Sequence, residues 1–184
     1  MLPDLKIVVF DDVEVLSDTI ADVNVESAES SIDSDIINNI LEKPNNNNCL
    51  IHNKPEIGII NGLYATAAGD GGIIPIQIFN NYSSINNSYE IKLTGKQGDV
   101  MKESVYCSLT AALEYIKNNK NINIEELLLN KFKYGFHVHV PATSTPKDGP
   151  SAGCAFTTAF ISRILDKKIR NDIAMTGEIE LTGR

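Results

Sequence analysis

Residues 136–165 read FHVHVPATSTPKDGPSAGCAFTTAFISRIL, and the change of pattern along them sets the fold class. Phe136 to Val140 reads as a strand, Pro141 to Pro150 as a loop, and Ser151 to Leu165, rich in Ala and Phe, as a helix. Pro146 and Pro150 fix their own φ and restrict the residue before each, so Ser151 reaches the helix start with little backbone freedom. There the helix dipole and the N–H groups of the first turn favour an anion forming beside the hydroxyl. Ala152 and Gly153 are small enough to admit a peptide backbone. A held hydroxyl beside such donors is what acyl transfer requires. Two other readings use the same residues. Ser and Asp beside a Pro-Gly turn are ordinary helix-capping chemistry. A helix start also suits phosphate, although Pro150 lacks one of the N–H groups a phosphate cradle would use.

Working outward, Ile57 to Tyr64 and Ile73 to Phe79 are Ile-rich strands separated by the turn Gly69-Asp70-Gly71-Gly72, and Tyr89 to Leu93 alternates as a half-buried strand. Together they predict an antiparallel meander. Asp99 to Lys117 sets Met101, Val105, Leu109, Ala112, Leu113 and Ile116 on one stripe, which predicts an amphipathic helix over the sheet with Asp99 as its cap. Ile173 to Leu181 predicts a last strand. Strands, helix, strand, helix and strand give a two-layer α/β (α+β) domain, placed over residues 54–184.

Residues 1–53 differ in composition and are assigned to an acidic, Asn- and Ser-rich extension or linker. Asp11 to Asp35 holds nine of the 24 acidic residues and none of the 16 basic ones, and buries too little apolar surface to offset the entropy of ordering. This stretch is expected to be disordered. Ile36, Ile37, Ile40 and Leu41 predict a short amphipathic helix before Pro44 and the tract Asn45 to Asn48 break it, with the boundary near Asn53. Asn118 to Asn123 is read as a solvated loop.

The 184 residues suit one ordinary domain plus an appendage, and 42% hydrophobic with 22% charged residues is an ordinary globular composition. The net charge of -8 comes from the extension, and the remainder is near neutral, so no basic footprint for nucleic acid is present. No stretch is long and apolar enough for a membrane span, and Ile7 to Phe10 is followed at once by Asp11 and Asp12, unlike a targeting segment. Cys49, Cys107 and Cys154 are odd in number and lack CxxC spacing, which suits free thiols in a reducing compartment.

The loop Pro146-Lys147-Asp148-Gly149-Pro150-Ser151-Ala152-Gly153 resembles the active-site motif of the Lon protease family, and His137-Val138-His139-Val140-Pro141 resembles the strand leading into it. Two further blocks are similar to the family and in its order: Leu93-Thr94-Gly95-Lys96-Gln97-Gly98-Asp99-Val100-Met101-Lys102-Glu103-Ser104, and Ala174-Met175-Thr176-Gly177-Glu178-Ile179 followed by Leu181 and Gly183. Asn61-Gly62-Leu63 is a weaker fourth. The likeness runs over about residues 56 to 184.

The resemblance implies the Lon proteolytic fold, which is of the ribosomal protein S5 domain 2-like kind. It also implies an ATP-dependent endopeptidase with a Ser-Lys dyad that degrades unfolded polypeptides inside a homo-hexamer. By motif position Ser151 is the nucleophile, Asp148 shapes the loop beside it, and Thr176 and Glu178 support the site. The family's catalytic lysine is expected downstream of Arg184, so the chain alone is expected to be inactive. ATP and Mg belong to a AAA+ module, and no G-x-x-x-x-G-K-(S/T) occurs here to bind them. An intracellular location follows, cytoplasmic or, for a longer eukaryotic precursor, the mitochondrial matrix.

Gln77 stands where the resemblance leads one to expect Glu; Gln keeps hydrogen bonding and removes a charge. Lys147 is expected to be solvated and charged, unsuited to act as a base. His137 and His139 share a strand face and would suit a metal if a third ligand lay near, but His52 is in the linker. Cys154, one turn beyond Ser151, is read as a small buried filler. Two alternatives to the protease remain: a pseudo-protease that keeps the fold without the chemistry, and a small-molecule kinase of related architecture.

Overall fold

The computed structural model describes residues 54–65, 71–82, 88–120, 122–141 and 146–184. The expected disordered stretch 11–35, the helix at 36–41, Asn45 to Asn48, Cys49, His52 and the boundary near Asn53 lie outside them. In chain order the elements are β1 (Glu56–Ile57), β2 (Ile59–Ala65), β3 (Gly71–Asn80), β4 (Glu90–Thr94), α1 (Asp99–Lys120), α2 (Ile124–Lys131), β5 (Gly135–His139), α3 (Gly153–Leu165), β6 (Lys168–Ile169) and β7 (Ala174–Met175). The fold is mixed α/β, as expected from the pattern.

The main sheet has the order β4-β5-β3-β2-β7, and β1 pairs with β6 in a separate ribbon. β2 and β3 form the expected antiparallel hairpin. The meander stops there: β4 does not pair with β3 but lies parallel to β5, which is inserted between them. Parallel neighbours need a long crossover, and α1 with α2 supply it. Alternation in Tyr89 to Leu93 signals a half-buried strand and carries no information about its neighbour.

Strand alternation puts Ile60 of β2, Ile76 and Ile78 of β3, and Phe136 and Val138 of β5 on one face, all buried. Val105, Leu109, Ala112 and Ile116 of α1 and Ala155, Phe156, Ala159, Phe160 and Ile164 of α3 complete a single core against that face. Phe136 is its centre, stacked on Phe132 at 4.8 Å and edge-on to Phe160 at 5.3 Å between centroids. The predicted stripe of α1 is therefore core, and the helix runs three residues past its expected end, to Lys120.

Three expectations are corrected. The strand expected over Ile57 to Tyr64 is split at Gly58, whose φ of 71° is left-handed. A Cβ there would lie 2.4 Å from the Ile78 carbonyl oxygen. Gly58 N–H donates to Ser162 Oγ at 2.9 Å, and Arg163 donates to the carbonyls of Ile78 and Ile57, both at 2.7 Å. That anchorage holds β1 away from β2.

Second, α2 was not expected. Its signal is Asn123-Ile124-Glu125-Glu126: Asn123 is the N-cap, and its side chain accepts from Glu126 N–H at 3.2 Å. Third, the strand expected over Ile173 to Leu181 is only Ala174–Met175, parallel to Asn61 and Gly62 of β2. Buried Asn61 holds its approach by donating to the carbonyls of Asn171 and Ile173. Among the described residues, no helix is long and apolar enough to cross a membrane.

Candidate active site

From Lys147 onward the loop before α3 is strapped to the start of α1. Lys147 N–H donates to Lys96 O, and Gly98 N–H donates to Lys147 O at 2.7 Å. Asp148 Oδ1 accepts the N–H of Met101 at 2.8 Å and of Gly149 at 2.9 Å. Asp148 thus caps α1 from outside its own segment. Asp99, expected as the cap, instead pairs with Lys102 at 3.0 Å. The backbone hydrogen bonds, with Lys102 adding to them, hold the Asp148 carboxyl below the usual aspartate range. Gly98 makes the approach possible, since a Cβ there would lie 2.4 Å from the Asp148 carboxyl carbon.

Two further straps follow on the same helix. Ser104 Oγ donates to Pro150 O at 3.3 Å and Ser108 Oγ to Gly153 O at 3.0 Å. Met101, Ser104 and Ser108 lie at i, i+3 and i+7, one face of a helix. The two serines are 7% and 0% exposed. Sequence reasoning passed over them, although two hydroxyl residues on an otherwise apolar stripe were the available signal.

Ser151 is exposed and sits in the turn just before the helix. The N-cap is Ala152, and no side chain caps α3. The capping role weighed for Ser151 is therefore not taken by its hydroxyl. Its carbonyl is engaged: Gly177 N–H donates to Ser151 O at 2.6 Å and Thr176 Oγ1 donates to it at 3.2 Å. Cys154 N–H donates to Gly177 O at 2.9 Å, and Gly153 N–H to Pro150 O at 3.0 Å. These bonds explain why β7 is short, because the chain after Met175 turns its backbone to the loop and leaves the sheet. They also correct an expectation. The N–H groups of Gly153 and Cys154 already serve carbonyls, which removes both from an oxyanion hole and from any phosphate cradle.

The approach depends on two glycines. A Cβ on Gly153 would stand 2.8 Å from Ile179 N, and one on Gly177 would stand 2.9 Å from Cys154 Sγ. Of the four residues singled out by motif, Ser151, Asp148 and Thr176 are drawn together. Glu178 adds its carbonyl, 3.6 Å from Cys154 Sγ, while its carboxylate is on the surface. Cys154 is half-buried and burial pushes its thiol pKa up, opposite to the shift a nucleophilic cysteine needs.

Ser151 opens on a groove of about 560 Å³ whose lining includes Tyr64, Ile74, Met101, Pro141 and Phe156. Lys147 borders it too but is not solvated as expected. It is half-buried and its Nζ donates to Gly95 O at 3.0 Å. Burial, with Lys96 adding to it, lowers its pKa.

Away from the groove, His137 and His139 both turn to the hydroxyl of Thr94. No group of three His, Cys, Asp or Glu suited to a metal ion occurs among the described residues. Gln77 stands in β3 between Ile59 and His139.

The model of the Lon protease (S16) C-terminal proteolytic domain matches residues 31–184. A Lon protease homolog of Acanthamoeba polyphaga mimivirus is 52% identical over 156 residues, covering 83% of this chain and 15% of that protein. Lon protease 2 of Thermus thermophilus is 44% identical over 132 residues, 71% of this chain and 15% of its own length. Lon protease of Campylobacter concisus is 37% identical over 145 residues, 71% and 17% respectively. The chain thus spans less than a fifth of the relatives it matches.

Proposed function

The chain belongs to the Lon protease family, in which it corresponds to the C-terminal proteolytic domain, and from that premise we propose that it carries the nucleophile of a serine endopeptidase, Ser151. The observation that carries the reading is an exposed serine that caps nothing, at the head of a helix and the wall of a groove. Ser151 Oγ attacks the carbonyl carbon of a peptide in the groove, and its proton passes to a neutral lysine amine. The C–N bond then breaks as that lysine protonates the leaving amine, and water hydrolyses the resulting ester. The family resemblance implies a lysine in the segment that follows Arg184 in the relatives; Lys147, which borders the groove, donates its Nζ–H to Gly95 O. The oxyanion falls to the N–H groups of Ser151 and Ala152, since those of Gly153 and Cys154 are engaged.

Thr176 fixes Ser151 through its carbonyl, and Asp148 fixes the loop through α1. The substrates we assign are unfolded polypeptides, which an open groove admits as extended chain. ATP and Mg, and assembly as a homo-hexamer, belong on this reading to the remaining part of a protein as long as the relatives. The test is a fluorophosphonate probe on protein carrying the segment that follows in those relatives. A covalent adduct on the peptide holding Ser151, abolished by Ser151→Ala, is expected. An unlabelled, folded protein would return the chain to the pseudo-protease reading.

A further inference from the structure

Two histidines of β5 share one hydroxyl of β4. Thr94 Oγ1 is 2.9 Å from His137 Nε2 and 2.7 Å from His139 Nδ1, on the face of the sheet opposite α1 and α3. The two rings stand 6.4 Å apart. A hydroxyl has one hydrogen to give and lone pairs to receive. Thr94 therefore donates to one ring nitrogen and accepts an N–H from the other, and the first of these must be unprotonated. If that nitrogen takes a proton, Thr94 loses its acceptor and must turn its hydrogen away.

The surroundings oppose that protonation. From β4, Lys92 stands opposite His137 and Thr94 opposite His139; from β3, Phe79 stands opposite His137 and Gln77 opposite His139. None of these is a carboxylate. Burial, then Lys92 and His139, hold the His137 pKa below the ordinary histidine range.

The node sits where both strands run out toward the groove. Thr94 O accepts Val140 N–H at 3.2 Å and Gln97 Nε2–H at 2.9 Å. The next carbonyl, that of Gly95, receives Lys147 Nζ, and the residue after Lys147 is Asp148, the cap of α1. On the other strand Val140 leads to Pro141 in the groove wall.

We propose that Thr94, His137 and His139 form a positioning node for the loop that carries Ser151: with one ring nitrogen bare, they lock the ends of β4 and β5 in the register that Lys147 and Asp148 hold. A proton on that nitrogen releases the lock. The functional meaning rests on Ser151 being the nucleophile, but the node acts on loop geometry and is tested there. Backbone amide exchange at Gly98, Met101 and Lys147, with the histidine titrations, is followed by NMR from about pH 8 to about pH 5 in the 184-residue chain.

Protection in the wild type is expected to fall about three- to tenfold as the pH is lowered, the weight of one such hydrogen bond. Thr94→Ser should behave as the wild type, and Thr94→Val should show the lower protection at every pH. Replacing both histidines by Gln, which hydrogen-bonds without titrating, should remove the pH dependence and decides the matter should Thr94→Val fail to fold. Protection that stays flat while the wild-type histidines titrate, or a pH dependence that survives in the double Gln variant, would overturn the node. Probe labelling of Ser151 is not among these readouts, so an inert serine sinks the proteolytic reading and leaves this one standing.

Discussion

The carboxylate of Asp148 caps a helix that begins 49 residues earlier in the chain, its Oδ1 accepting Met101 N–H at 2.8 Å. The contact joins the loop that ends on Ser151 to the longest of the described helices. Asp148→Asn keeps an acceptor and should leave the thermal midpoint little changed at neutral pH, whereas Asp148→Ala should lower it by a few degrees and slow labelling of Ser151. The depressed carboxyl pKa gives stability that is present above the ordinary aspartate range and lost as pH falls through the lower folded value. Melting curves from neutral pH down to about pH 3 should therefore show a steeper acid loss in the wild type than in Asp148→Ala. Parallel acid profiles would disprove the link.

Ser108 is wholly buried, and its hydroxyl serves the carbonyl of Gly153. Ser108→Ala removes that hydrogen bond from the core, while Gly153 O keeps its place in the α3 ladder, and should cost about 0.5–1.5 kcal/mol. In a urea titration the midpoint should drop with the slope unchanged. An unshifted midpoint would show that the strap contributes nothing.

Gly177, with φ of 150° and its position against Cys154 Sγ, should not tolerate a side chain. Gly177→Ala is expected to displace Thr176 from the Ser151 carbonyl and to reduce probe labelling at least about tenfold, the cost of moving a reacting group off its mark. Cys154→Ala added to it removes the sulfur contact and leaves the backbone strain, so recovery should be partial. Full recovery would place the whole effect on the sulfur.

Cys154 should be a poor nucleophile in the folded protein. Its raised pKa and half-burial predict slower iodoacetamide alkylation at neutral pH than in the urea-unfolded chain. Equal rates in both states would contradict the assignment.

Phe160 is fully buried against Phe136, and Phe160→Ala should destabilise by about 3–5 kcal/mol. Leu129, 71% exposed on α2, should be replaceable by Ala within about 0.5 kcal/mol. Equilibrium unfolding of the two variants separates core from surface.

Periodicity made the core side of the fold legible. The stripe on α1 names residues that prove buried, and the Ile-rich run of β3 and the strand at Phe136 to Val140 supply the face it packs against. What stayed hidden was long-range. Nothing in Tyr89 to Leu93 tells that its partner is β5, and nothing local tells that Asp99 yields its capping role to Asp148. Motif spacing brought Ser151, Asp148 and Thr176 to one place, yet it was silent on Ser104 and Ser108, whose work is done across a helix-to-loop contact. The short β7 has the same cause: Ile173 to Leu181 has the composition of a strand, and its backbone is claimed by the turn at Ser151.

The three straps from Met101, Ser104 and Ser108 make α1 a ruler as well as a wall of the core. Its outward residues can vary freely in kind, but not in number. One residue inserted between Met101 and Ser108 would rotate every later anchor by about 100° and carry Ser108 away from Gly153. Lineages of this domain are thus free to drift by substitution along that helix and barred from length change within it, a constraint set by a stretch of chain that lies over forty positions before the serine it serves.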